Sequence, residues 1–225
     1  MADVTCWTLI ESAADGDRAA RDAFAERYVP VVRAYLRSRW RGRASDAELE
    51  DAVQEVFVEC LKEEGVLARN RSRRGSGFRA YLFGAVRNVA LRSEEARGRK
   101  VDAPRTDSFE ADGLAGDGET SSRAFDRAWA AAIVQEAAQR QRERARSEGE
   151  PALRRVELLR LVFQEERGIA DIARDWEVQP EALHREYAKA RAEFAAALRD
   201  VVAFHVTESD GAVERECRDL MSLLG

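Results

Sequence analysis

Apolar residues recur at helical spacing along nearly the whole chain, while alternation rich in β-branched residues is missing. In ELEDAVQEVFVECLK, residues 48–62, Leu49, Val53, Val56, Phe57 and Cys60 fall on one side of a helix. In GFRAYLFGAVRNVALR, residues 77–92, Phe78, Leu82, Ala85, Val86 and Val89 form the same kind of stripe. An all-α fold follows. A helix of this type cannot bury its stripe alone, so the helices must pack on one another.

The periodicity breaks in one place. Residues 104–121, PRTDSFEADGLAGDGETS, carry three glycines, a proline and few large apolar groups. They read as a linker. The acidic stretch 101–121 therefore divides the chain into two small helical domains, 1–100 and 122–225, joined by a flexible segment. The second domain ends in a helix-turn-helix. Its first helix is GIADIARDW (168–176), with Ile169, Ile172, Ala173 and Trp176 inward. Glu177 to Pro180 form the turn, and Pro180 suits a first helical position. The next helix runs to about Val202 with Leu183, Tyr187, Ala190, Phe194, Leu198 and Val201 inward. Residues 203–225 follow, where Val213, Cys217, Leu220 and Leu224 form an amphipathic helix that packs on its own domain or on a partner.

Charge narrows the function. The net charge is −5, which argues against a simple nucleic-acid binder whose affinity comes from neutralising phosphates. The distribution is segregated, however: Arg33 to Arg43 and Arg69 to Arg79 are basic, and Val101 to Ser121 is acidic. Three cysteines and two histidines at unrelated positions make neither a disulfide framework nor a zinc spacing. No cofactor or metal is expected, and no nucleophile–base pair or phosphate loop points to an enzyme or a small-molecule substrate. No apolar run approaches the ~20 residues needed to span a bilayer. The acidic N-terminus lacks the basic start and apolar stretch of a signal peptide, so a cytoplasmic location is expected.

Two surfaces stand out. On the 48–62 helix, Asp51, Gln54, Glu55, Val58, Glu59 and Lys62 face outward, and Val58 is apolar in the middle of a polar face. It reads either as harmless scatter or as part of a protein-docking face. In the 77–92 helix, Arg79, Tyr81, Phe83, Arg87 and Asn88 lie off the buried stripe. Arg79 and Arg87 could reach phosphates and Asn88 a base edge. Alternatively, Tyr81 and Phe83 complete a helix–helix contact and the arginines are solvated.

The order of these pieces resembles an RNA polymerase sigma factor, in particular the two-domain extracytoplasmic-function type. DAVQEVFVECL comes first, then GFRAYLFGAVRNVALR among basic residues, then an acidic linker, then a terminal helix-turn-helix. The resemblance covers about residues 15–202 and implies an alternative sigma factor that binds core RNA polymerase, directs it to promoter DNA and assists melting. An anti-sigma factor is a further partner that such a factor can have. The resemblance implies that Asp51, Gln54, Glu55 and Val58 contact the polymerase clamp helices. It implies that the loop with Asn70, Arg71, Arg73, Arg74, Gly75 and Ser76 holds a flipped base of the downstream promoter element. Arg79, Tyr81, Arg87 and Asn88 then fall in the melting and recognition helix, with Phe78 in the core. Glu181, His184, Arg185 and Lys189 fall on the face of the second helix-turn-helix helix that meets the upstream element. The acidic linker falls where the family threads the RNA path of polymerase.

The sequence departs from the family where Ala188, Ala192 and Glu193 replace residues that are often basic. Glu186 flanks the same face, and Gln179 stands where a capping Ser is common. These changes count against strong upstream binding. They keep open a sigma-like helical adaptor without productive promoter recognition; a helix-turn-helix regulator that works without polymerase is the other alternative, which would explain the C-terminal half but not the partner face of the 48–62 helix.

Overall fold

A computed structural model describes residues 5–61, 77–101, 117–206 and 210–224. Among them every regular element is a helix, as the periodicity requires. In chain order these are α1 (Cys6–Ala14), α2 (Arg18–Trp40), α3 (Asp46–Leu61), α4 (Gly77–Val101), α5 (Asp117–Glu148), α6 (Glu150–Phe163), α7 (Ile169–Asp175), α8 (Pro180–His205) and α9 (Asp210–Leu224).

Local chemistry sets where several helices begin. Thr5 and Thr8 cap α1 reciprocally: Thr8 N–H donates to the Thr5 hydroxyl and Thr5 N–H donates to the Thr8 hydroxyl at 2.9 Å. Asp17 Oδ1 accepts from the Ala19 and Ala20 amides at the start of α2. Ser45 and Glu48 do the same for α3, where Ser45 N–H donates to Glu48 Oε2 at 2.8 Å and Glu48 N–H donates to Ser45 Oγ at 3.3 Å. Each arrangement satisfies amides that a helix start leaves without intrahelical partners. Gly149, at φ 98°, separates α5 from α6, with Pro151 in the first turn of α6.

The chain forms two compact units, Met1–Ala132 with Ala203–Gly225, and Ile133–Val202. The first unit is built on aromatic rings. Phe24, Tyr28 and Phe78 are buried, with the Phe78 ring 4.8 Å from that of Tyr28 and 6.2 Å from that of Phe24. Trp7 from α1 covers Phe78 edge-on at 5.6 Å. Edge-on and tilted arrangements are those the ring quadrupoles favour. A second layer joins Arg39, Trp40 and Glu94. Arg39 donates twice to the Glu94 carboxylate, at 2.7 and 2.9 Å, and the Trp40 indole N–H donates to it at 2.9 Å. Arg97 lies 4.2 Å from the Trp40 ring centroid, in cation–π contact.

This division differs from the expected split at 1–100 and 122–225. Residues 122–132 and 203–225 belong with the first unit. The reason lies in large buried side chains. Trp129 stacks near Tyr28 at 5.9 Å, Phe125 packs against Phe83 at 5.2 Å, and the His205 ring donates to or accepts from the Tyr28 hydroxyl at 2.9 Å. Leu220 of α9 is also fully buried. In addition, α5 begins at Asp117, inside the stretch expected to be linker; residues 102–116 lie outside the described residues.

The second unit has its own core, in which Leu158 and Leu161 of α6 meet Ile172 and Ala173 of α7 and Leu183 of α8. The buried Gln141 side chain donates to the Ala190 carbonyl at 3.1 Å. Between α7 and α8 the chain turns through Glu177, which has φ 52°. Only glycine adopts that left-handed conformation without a steric cost of roughly 1 kcal/mol.

Candidate functional site

The α3 helix presents the face that its sequence pattern anticipates. Leu49, Ala52, Val53, Val56 and Cys60 are buried, while Asp51, Gln54 and Glu55 are exposed. Val58 is 54% exposed on the same outer surface. Phe57, expected in the core, is half-buried and meets Phe24 edge-on at 5.2 Å. Glu55 and Glu59 both approach Arg92 of α4, at 3.2 and 3.3 Å. This fixes α3 against α4 at one side of the face and leaves Asp51 and Gln54 at the other.

On α4 the buried stripe is as expected, with Phe78, Leu82, Ala85, Val86 and Val89 inside. Arg87 and Asn88 are exposed. Tyr81 is a correction. It is only 7% exposed, tilted against Trp7 and Phe78, with its hydroxyl 3.5 Å from the Cys60 carbonyl. Burial pushes its phenol well above the ordinary range. The ring cannot stack on a base from that position. Tyr81 lies three residues after Phe78 and four before Ala85, and so belongs to the buried face. Phe83 likewise completes a helix contact, with Tyr35 at 5.7 Å.

Arg79 is paired within the protein. Its guanidinium donates to Asp126 Oδ1 at 2.7 Å and to Glu216 Oε1 at 3.2 Å. Burial opposes its charge, and the two carboxylates more than offset that, leaving it protonated more firmly than usual. In this structure Arg79 therefore faces protein carboxylates. Asn70, Arg71, Arg73 and Arg74 lie outside the described residues.

In the second unit, Glu181, His184, Arg185, Ala188, Lys189 and Ala192 are all exposed along one face of α8. Lys189 is paired with Glu186 at 2.8 Å. Sequence reasoning missed Arg155 on α6. It lies 2.7 Å from Glu193, 3.5 Å from Glu186 and 3.7 Å from Glu148. The carboxylates that counted against upstream binding are thus occupied by a cation on the neighbouring helix. No spacing rule on α8 could reveal that partner.

Cys6 and Cys60 are buried, and burial pushes both thiols up to about 12, which leaves them inert as nucleophiles. Among the described residues no group of His, Cys, Asp and Glu is placed to hold a metal ion, and no helix is long and apolar enough to cross a membrane.

The exposed acidic face of α3 lies beside a helix that carries exposed Arg87 and Asn88. Residues 24–100 match sigma-70 region 2. The region 2 match begins within α2, takes in α3, and ends one residue before the end of α4. The match covers about a third of the chain and supports a sigma-type role for that segment. Comparisons with curated proteins and with solved structures give no match. Outside region 2 lie α1, the helices from α5 to α9, and the two carboxylates that hold Arg79.

Proposed function

We propose that the protein is an alternative sigma factor of the extracytoplasmic-function type. The observation that carries this reading is the coincidence of the region 2 match with the exposed Asp51, Gln54, Glu55 and Val58 on α3. Polar side chains around one apolar residue suit a protein partner, because charges at the rim steer association and an apolar centre is desolvated on contact. Here the partner is the clamp of core RNA polymerase.

Promoter opening falls to the 70–76 loop and to α4. A base can leave the duplex only if unstacking is offset by a pocket and backbone cations. Asn70, Arg71, Arg73 and Arg74 supply the cations and an amide for this, and the exposed Arg87 and Asn88 of α4 add to them. Tyr81 has no part in this. The turn at Glu177 and the exposed face of α8 support a helix-turn-helix reading of α7 and α8, whose second helix enters a major groove. Arg185 contacts the upstream element there, with Glu181, His184 and Lys189 beside it. The acidic segment before α5 occupies the RNA path. Two domains in this order make the chain a cytoplasmic initiation factor, with an anti-sigma factor as a further candidate partner.

Co-purification with bacterial core polymerase tests the reading. The full chain should form a stoichiometric complex that survives gel filtration. A folded chain that elutes apart from core enzyme would refute it.

A further inference from the structure

Arg79 is the first cation of α4 after the basic segment 69–76, and its guanidinium is met by two carboxylates from elsewhere in the chain. Asp126 comes from α5 and Glu216 from α9, and neither helix lies in the region 2 match. All three side chains are between 26% and 29% exposed, so the cluster is partly screened from water but reachable at its edge. Two oxygens presented to one guanidinium reproduce what a phosphodiester offers with its two non-bridging oxygens.

The elements that bring these carboxylates are held down by independent contacts. Trp129, one turn after Asp126, stacks on Tyr28. His205 meets the Tyr28 hydroxyl, and the Cys6 thiol lies 3.9 Å from the His205 carbonyl. Arg27 sits over the Phe204 ring at 4.6 Å. Around Glu216, Val213 and Leu220 of α9 are buried. Asp126 and Glu216 are thus carried by helices that each bury side chains in the first unit, Trp129 beside Asp126 and Val213 and Leu220 on either side of Glu216.

We infer that Asp126 and Glu216 form an autoinhibitory latch, which occupies Arg79 as a nucleic-acid backbone would and keeps the free chain from engaging single-stranded DNA at this position. This rests on the reading of α4 as a DNA-facing helix. Nucleic acid, presented at high local concentration, displaces the carboxylates and takes Arg79. The acidic net charge of the free chain acts in the same direction.

The test uses the full chain and a fluorescent single-stranded deoxyoligonucleotide, titrated across a range of salt. The Asp126→Asn, Glu216→Gln double variant should bind roughly three- to tenfold more tightly than wild type, with a log–log salt slope steeper by about 0.7 for the one added phosphate contact. Adding Arg79→Ala should abolish the gain. Glu214→Gln with Asp219→Asn, two exposed carboxylates on α9, removes the same charge away from Arg79 and should gain much less. An unchanged affinity in the latch variant overturns the inference, as does an equal gain in the α9 control or a gain that survives loss of Arg79. Binding of the same proteins to core polymerase is measured in parallel. A chain that binds polymerase but shows no Arg79-dependent gain keeps the sigma reading and loses the latch. One that shows the gain but ignores polymerase keeps the latch and loses the sigma reading.

Discussion

Tyr28 and His205, 177 positions apart, share a hydrogen bond of 2.9 Å in the core of the first unit. The contact places the end of α8 among the helices of the N-terminal half, where Phe78 and Trp129 also meet the His205 ring at 6.3 and 5.1 Å. Tyr28→Phe removes the hydroxyl while keeping the ring, and leaves a buried imidazole nitrogen without this partner. It should cost about 1–2 kcal/mol. Trp129→Ala opens a cavity and should cost about 3–5 kcal/mol. Urea unfolding followed by fluorescence measures the first and circular dichroism the second. A tail that folds independently of α2 would leave both midpoints unchanged.

Acid should loosen the junction of α2 and α4 through Glu94. Burial works against its ionisation, but the hydrogen bonds from Arg39 and Trp40 and the charges of Arg39 and Arg97 prevail and hold the carboxyl below its usual range. A depressed folded-state pKa means stability that is present above the unfolded value, about 4.3, and lost as pH falls through the folded one. Glu94→Gln should therefore be destabilised relative to wild type by roughly 2–3 kcal/mol at pH 7. The gap should narrow as pH falls below about 4.3. Denaturation midpoints of both proteins at a series of pH values check this, and the comparison cancels Glu50, Glu157 and Glu186, which are depressed in the same direction. A gap independent of pH would assign the effect to packing.

Some of this architecture was legible and some was not, for a physical reason. The stripe from Phe78 to Val89 could be read because helical burial repeats locally. The outward set on α3 followed from the same geometry. Tyr81 was misplaced because the basic residues around it suggested a DNA face, and because Trp7, which covers it, lies far away in sequence. The carboxylate partners of Arg79 escaped notice for a similar cause: they lie 47 and 137 positions away. The grouping of residues 203–225 with the first unit could not be read, because the amphipathic pattern of α9 declares that it packs and is silent on where. Arg155 escaped notice because an ion pair between helices leaves no periodic trace.

Charge reversal on α3 should separate docking from folding. Asp51→Lys with Glu55→Lys should weaken association with core polymerase roughly tenfold or more. Among the described residues one ion pair is lost, Glu55 with Arg92, and both side chains are about half exposed. Its removal should cost less than about 1 kcal/mol. Gel-filtration binding and thermal unfolding of the same variant give the two readings. Full affinity in a folded variant would remove this face from the interface.

Arg185 and Arg155 should differ in how they affect upstream DNA. If Arg185 forks onto a guanine, Arg185→Ala should relax preference at one promoter position by about 1–3 kcal/mol. If it contacts phosphate, the loss should be uniform and the salt dependence shallower. Arg155→Met leaves Glu186 and Glu193 without its charge beside the α8 face, and should weaken every upstream sequence alike. Selection from randomised upstream elements by the polymerase complex distinguishes the patterns. Unaltered selection by both variants would argue for the adaptor reading.

Run-off transcription with purified core polymerase on a genomic fragment library tests the central claim most directly. Wild type and the Asp126→Asn, Glu216→Gln variant are assayed together, so that the latch does not mask activity. Discrete start sites that depend on the added protein, and that disappear with Asp51→Lys and Glu55→Lys, are the predicted result. Transcripts identical with and without the protein, from a preparation in which it is bound to core enzyme, would contradict the account.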